Sequence, residues 1–222
     1  MEIEPIAHIR TDFREKFGIP RQSGYAEGCI GTIVFEPKYR NPDALRGLEG
    51  FSHIWLIFDF SENHREGWDP MVRPPRLGGN TKVGVFASRS PFRPNSLGLS
   101  SVRLKKIDHT DEGDVLIVEG TDLLDGTPIY DIKPYIRHSD CHTDAVSGFA
   151  DTAMEHRLSV ADPDGLLRII PEEKRKVLIE CLELDPRPSY HEDERRYGMR
   201  FSDYDISFTV EGNVLKITEI KR

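Results

Sequence analysis

The sequence predicts a mainly β protein: an antiparallel β-barrel domain over residues 1–150, followed by a small α+β domain over residues 151–222. Short runs rich in Ile, Val and Phe recur through the first two-thirds of the chain, punctuated by Gly, Pro, Asn and Asp. Several alternate apolar and polar residues, the signature of a strand with one wet face. Such closely spaced short strands suit a barrel or sandwich. The last third changes character, with one helical run, a proline-rich break and a final strand pair.

PIAHI (Pro5 to Ile9) and CIGTIVF (Cys29 to Phe35) read as the first strands, separated by a long loop containing KFGIPRQSGY (Lys16 to Tyr25). PDALRGL (Pro42 to Leu48) starts with proline after Asn41, which predicts one helical turn with Asn41 as its cap. HIWLIFDF (His53 to Phe60) is the next strand, and His53 is expected to be buried or to pack across strands. KVGVFA (Lys82 to Ala87), LSSVRLKKI (Leu99 to Ile107), DVLIVEG (Asp114 to Gly120) and DIKPY (Asp131 to Tyr135) complete the strand set. From about His142 to Pro163 small and polar residues predict a linker. PEEKRKVLIECLEL (Pro171 to Leu184) reads as a helix, with proline in its first turn and Glu172 and Glu173 at its positive end. DPRPSY breaks it, and DISFTV and VLKITEI flank the turn EGN as a hairpin.

A chain of 222 residues, 37% hydrophobic and 31% charged, can bury a core and folds as a globular protein. Its longest strongly apolar run, IWLIF, is far shorter than a membrane span, and the start MEIEPIAHIR lacks the layout of a secretory signal. Cys29, Cys141 and Cys181 are widely spaced, which predicts reduced thiols in a cytoplasmic protein. The net charge of −8 argues against wholesale attraction to nucleic acid. Its distribution is uneven, however. No Asp or Glu occurs from Met71 to Ile107, where Arg73, Arg76, Lys82, Arg89, Arg93, Arg103, Lys105 and Lys106 fall. That stretch is where an anion would be met.

Inside it, ASRSPFRPNSLGLS (Ala87 to Ser100) holds Arg89 and Arg93 on a loop stiffened by Pro91 and Pro94. Guanidinium groups on a stiff loop suit phosphate or carboxylate, or else pair with carboxylates of the chain itself. RPPRLGGN (Arg73 to Asn80) is a second extended basic loop. In DLLDGTPIYDIKPY (Asp122 to Tyr135) the DGTP segment predicts a tight turn, and Asp131 and Lys133 share a strand face. Loops this long in a small β domain tend to carry function. HSDCHTD (His138 to Asp144) matches no metal-ligand spacing, so no metal is expected. There is no P-loop, GxGxxG or GxSxG.

Taken in order, KFGIPRQ, LRGLEGFSHIWLIFDF, VRPPRLGGN, GVFASRSPFRPNSLGLS and DLLDGTPIYDIKPY resemble the TsaA-like domain of the TrmO family, over roughly residues 5–142. The tail's DPRPSY and strand pair resemble the smaller C-terminal domain of bacterial members. Ser88 stands where the family usually has Thr, and Ser96 where it usually has a second Pro. The resemblance implies a homodimeric β-barrel methyltransferase that uses S-adenosylmethionine without a Rossmann sheet. Its substrate would be N6-threonylcarbamoyladenosine at position 37 of the tRNA anticodon loop. Carried over by motif, Gln22, Ser23, Gly24, Asn63, His64, Arg89, Arg93, Leu104, Asp125, Gly126, Thr127 and Pro128 would line the cofactor pocket. Asp131, or alternatively Asp125, would accept a proton. Arg73, Arg76, Lys82 and Lys133 would meet RNA phosphates, with Tyr130, Tyr135 and Phe92 available to stack on bases. The rival readings are a non-catalytic RNA-binding barrel and a methyltransferase with another acceptor.

Overall fold

The computed structural model describes residues 2–74, 77, 80–153, 157–187 and 195–222, with backbone alone for 151–153. Strands β1 (Ala7–Thr11), β2 (Ile30–Phe35), β3 (His53–Asp59), β6 (Leu97–Thr110), β7 (Gly113–Glu119) and β8 (Pro128–Pro134) close an antiparallel barrel in the order β1-β2-β7-β6-β3-β8. Closure leaves no free sheet edge. Alternation along β6 shows why the chain folds this way. Gly98, Ser100, Val102 and Leu104 turn inward, while Leu97, Leu99 and Arg103 face out. Ile9, Ile33, Ile54, Leu56, Leu116 and Ile129 fill the interior. At one end the Phe58 ring lies over Gly98, where an added Cβ would come within 2.2 Å of it. Glycine is the residue that leaves room for that ring.

The connection from β3 to β6 leaves the barrel and carries a small ribbon, β4 (Met71–Val72) paired with β5 (Val83–Gly84). KVGVFA is therefore a strand only at Val83–Gly84, and Val85–Ala87 turns into a 3₁₀ helix pinned by the buried Val85. Asn41 caps the turn Pro42–Leu45, its side chain accepting from the Asp43 N–H at 3.0 Å. His53 is exposed rather than buried; its ring lies 6.1 Å from that of Tyr135 on the neighbouring strand. After the single turn α1 (Arg137–Asp140), part of the expected linker forms β9 (Ser159–Ala161), because β12 (Val214–Lys221) offers it a parallel partner. The helix α2 (Glu172–Glu183) follows with Pro171 at its N-cap. Strands β10 (Tyr197–Phe201) and β11 (Tyr204–Glu211) complete a sheet of order β10-β11-β12-β9. Strand β10 is an element that the run-by-run reading left out.

The cores of the two sheets are not independent. The loop from β1 to β2 leaves the barrel and contributes Phe13, Ala26 and Cys29 to the C-terminal core, beside Leu178, Cys181 and Phe201. Phe13 meets Phe201 edge to face, with ring centroids 5.8 Å apart, and Phe17 stacks on Tyr197. Cys29 and Cys181 touch at 3.7 Å as thiols; that contact, together with burial, pushes the Cys29 thiol far up and leaves it un-ionised. Gly28 runs so close to α2 that a Cβ would approach Val177 to 2.9 Å. Polar ties reinforce the joint: Lys174 donates to Asp12 and to Ser202, both at 2.7 Å, and the Ser202 N–H donates to the Asp12 carbonyl.

Because Phe13 comes from the barrel's β1–β2 loop yet is buried in the C-terminal core, Phe13→Ala is expected to cost about 3–5 kcal/mol. Urea unfolding followed by tryptophan fluorescence and by circular dichroism should show one shifted, coincident transition. A separate early transition confined to the C-terminal sheet would contradict a shared core.

Candidate active site

The same loop that enters the C-terminal core returns along the barrel mouth beside the segment between β7 and β8. The Gly24 N–H donates to the Gly120 carbonyl at 2.9 Å, and the Thr121 N–H donates to the Cys29 carbonyl at 3.2 Å. Both glycines have positive φ, +78° and +73°, and a Cβ on Gly120 would lie 3.3 Å from the Gly24 backbone. The two chains thus approach with no side chain between them.

Asp122 lies where they meet. Its carboxylate accepts from the Ser100 hydroxyl at 2.7 Å and from the Ser23 N–H. Burial raises its pKa, against the pull of these donors and of the Arg89 guanidinium. Arg89 donates to the Gln22 side-chain oxygen, which joins the arginine loop to the β1–β2 loop. Ser23 and, at longer range, Arg89 therefore act on one desolvated carboxylate, although 66 positions separate them, and Gln22 ties Arg89 to the Ser23 loop. The buried Thr121 hydroxyl beside it has no hydrogen-bond partner among the described residues. A desolvated carboxylate beside an exposed guanidinium suits a ligand that carries both charges.

A second polar cluster sits at the end of β3. Asp59, 8% exposed, accepts from the His64 ring at 2.8 Å. Tyr130 on β8 also reaches Asp59, and burial followed by that carboxylate raises the Tyr130 pKa. Asn63 ends the adjoining 3₁₀ turn, Ser61–Asn63, its N–H held by the Phe60 carbonyl.

Arg93 turns back onto its own loop, donating to the Ser88 carbonyl at 2.7 Å and to the Val85 carbonyl at 3.3 Å. The DGTP turn is bound to β1: Asp125 accepts from the Thr11 N–H and from Arg14, and the Gly126 N–H donates to Ile9. The Thr127 hydroxyl closes the turn on Leu124, and Pro128 opposite His8 begins β8. Asp131 accepts from the Ile132 N–H and pairs with Lys133 at 2.9 Å on the outer barrel face. Leu104 packs its side chain into the barrel core, whereas Leu97 and Leu99 carry the exposed apolar surface of β6. Arg73 and Lys82 are exposed at the far end of the β4–β5 ribbon. Arg76 lies outside the described residues.

Comparison with known proteins gives this arrangement a context. Residues 8–141 match the model of the tRNA-methyltransferase O N-terminal domain, and residues 166–222 match the TrmO C-terminal domain. The chain belongs to the TrmO family. A relative from Escherichia coli K12, "tRNA (adenine(37)-N6)-methyltransferase", is 38% identical over 94% of this chain and 93% of its own. A Pseudomonas aeruginosa relative, "Putative S-adenosylmethionine-dependent methyltransferase RcsF", is 41% identical over 92% and 90%. The crystal structure of TrmO from Pseudomonas aeruginosa superposes with a TM-score of 0.79 at 32% identity, covering 100% of this chain and 99% of that one. Asp122 and Ser100 both lie within the TrmO motifs, but neither carries a mark of its role in the motif itself. Alternation along LGLSSV was the available signal for Ser100, since it places that hydroxyl inside the barrel with nothing apolar to do. Asp59 ends the IWLIFD run, where a carboxylate directly after buried apolar residues calls for partners.

Because folding raises the Asp122 pKa, its contribution to stability is full below the ordinary Asp range and is lost as pH rises through the folded value. Asp122→Asn should therefore match the parent chain at about pH 3 and become the more stable of the two towards about pH 7. Paired urea titrations across that range test the sign; a gap that stays flat or reverses would remove the desolvated carboxylate from this description.

Proposed function

We propose that this protein methylates N6 of the adenosine at position 37 of tRNA, taking the methyl group from S-adenosylmethionine. We further propose that the natural acceptor is the threonylcarbamoyl form of that base. The observation that carries the reading is the match to both TrmO domain models in order, with 38% identity to the E. coli adenine-37 N6-methyltransferase along nearly the whole of each chain. The site supports it independently: the barrel mouth offers the Asp122 carboxylate to an ammonium or hydroxyl group and the exposed Arg89 to a carboxylate. These are the polar groups that S-adenosylmethionine carries.

When bound, that cofactor supplies an electrophilic methyl group on a sulfonium, so transfer calls for in-line positioning and the exclusion of water. The chain's own part begins with Gly24, whose open side would let the ligand lie against backbone, while Gly120 leaves room for Gly24 itself. Gln22, held by Arg89, fixes the loop that closes over it. The carbamoyl substituent withdraws the N6 lone pair, so a base that takes the N6 proton as the new bond forms aids the reaction. Asp131, whose carboxylate lies on the outer face of β8, is the residue proposed for that task, with Lys133 beside it to meet phosphate. His64 and Asn63 line the second edge. We also propose a homodimer formed through the outer face of β3 and β6. There Leu99 is 55% exposed and Ile57 pairs with it in register. The work of the protein would be cytoplasmic, a compartment that keeps thiols such as Cys29, Cys141 and Cys181 reduced.

Calorimetric titration with S-adenosylmethionine should show saturable binding that Arg89→Ala weakens by about tenfold or more, the scale of a lost charge-assisted contact. Methyl transfer measured on threonylcarbamoylated and unmodified tRNA should favour the modified substrate. No binding of the cofactor by the folded protein, with or without tRNA, would leave a non-catalytic RNA-binding barrel as the better account.

A further inference from the structure

The excursion between β3 and β6 presents large apolar side chains to solvent. The β4–β5 ribbon brings its two flanks together: Met71 pairs with Gly84, and the Val85 N–H donates to the Pro70 carbonyl at 2.9 Å. Trp68, just before the ribbon, consequently stacks on Phe86, just after it, with ring centroids 6.1 Å apart and planes 30° from parallel. Burial does not account for this pair, since Trp68 is 46% exposed and Phe86 73%. Each edge of the patch carries a cation. Arg93 lies 5.8 Å from the Phe86 ring centre, and Arg65 lies 4.5 Å from that of Phe92. The 3₁₀ turn that carries Phe86 is tied down, since Arg93 bonds the Ser88 and Val85 carbonyls and Val85 is buried.

We propose that the Trp68–Phe86 stack, flanked by Arg93 and by the Arg65–Phe92 pair, is a docking platform for unpaired bases of RNA; the proposal rests on the tRNA reading given above. Flat faces held open to solvent are what single-stranded nucleotides stack on, and arginines over aromatic rings add attraction to the base and its phosphate. Charge favours this occupant. Phe86 and Phe92 lie inside the stretch from Met71 to Ile107 that has no Asp or Glu, in a chain of net charge −8. Of the acids near Trp68, Asp69 is paired with Arg65 at 2.8 Å, and Glu66 is exposed. An apolar protein partner would have to desolvate two guanidinium groups that are already paired, Arg93 with the Ser88 and Val85 carbonyls and Arg65 with Asp69, a cost that a stacked and solvated nucleotide does not impose. The platform also adjoins the candidate pocket, because Arg89 on the same loop bonds Gln22. A base stacked there would hold the anticodon loop beside the reacting nucleotide.

The test is fluorescence anisotropy of the full chain with a labelled tRNA anticodon stem–loop, at two or more salt concentrations. Phe86→Leu and Trp68→Ala should each weaken binding about tenfold, the loss of one base–aromatic stack, while Phe86→Tyr stays within about twofold of the parent. The slope of log affinity against log salt should not change for these variants, whereas Lys82→Ala should lower it by about one. Circular dichroism and S-adenosylmethionine affinity should match the parent throughout. Parent protein that binds and methylates the RNA while Phe86→Leu binds equally well overturns the platform alone. Variants that keep RNA affinity but change the sedimentation mass overturn it in favour of a protein contact. Parent protein that neither binds nor methylates the RNA overturns the tRNA reading and the platform with it.

Discussion

The packing of Phe13 against Phe201 is the contact on which the rest of the molecule depends. It draws the β1–β2 loop out of the barrel and makes it part of the C-terminal core, with Ala26 and Cys29 fixing the far end of the same loop. Between these anchors lie Gln22, Ser23 and Gly24, the residues that meet Asp122 and Arg89 at the barrel mouth. A loop of this length, left to itself, would sample many shapes and would lose that freedom each time a ligand arrived. Buried at both ends, it has already lost most of it. The C-terminal sheet is thus a brace for the site, whatever else it touches.

Electrostatics at the mouth follow from the same geometry. Asp122 is desolvated where the Gly24 and Gly120 segments meet, and the donors around its carboxylate, Ser100, the Ser23 and Asp122 N–H groups and the more distant Arg89, offset that burial only in part. A group left under-compensated in the folded protein is a group with interaction energy to offer a ligand. Elsewhere the polar groups are satisfied internally: Asp125 by Thr11 and Arg14, Arg93 by the carbonyls of its own loop. The contrast separates groups that hold the fold from groups that await a partner.

Much of the barrel was legible because its strands are locally coded: β6 and β7 alternate cleanly, and Asn41 before Pro42 announces its own cap. The helix α2 and the β11–β12 hairpin were equally plain. What could not be read was set by partners distant in the chain. KVGVFA has strand composition but only Met71 and Val72 to pair with, so it stops after two residues. Ser159–Ala161 has linker composition, yet β12 recruits it. The site divides in the same way. Motifs located Gln22, Arg89 and the DGTP turn, but nothing local says that Asp122 is desolvated or that Trp68 meets Phe86. Those facts belong to the tertiary structure.

The brace also bears on how the protein is made. Cys29 and Cys181 are separated by 152 positions, and Asp12 and Lys174 by 162. At a translation rate of about 5–20 residues per second, the loop emerges from the ribosome on the order of ten seconds before its packing partners. During that interval Phe13, Phe17 and Ile19 have nothing to cover them, even if the barrel has closed. A nascent chain therefore exposes apolar side chains at the place where the finished protein is braced. Chains that terminate early would carry a complete barrel and an unseated loop.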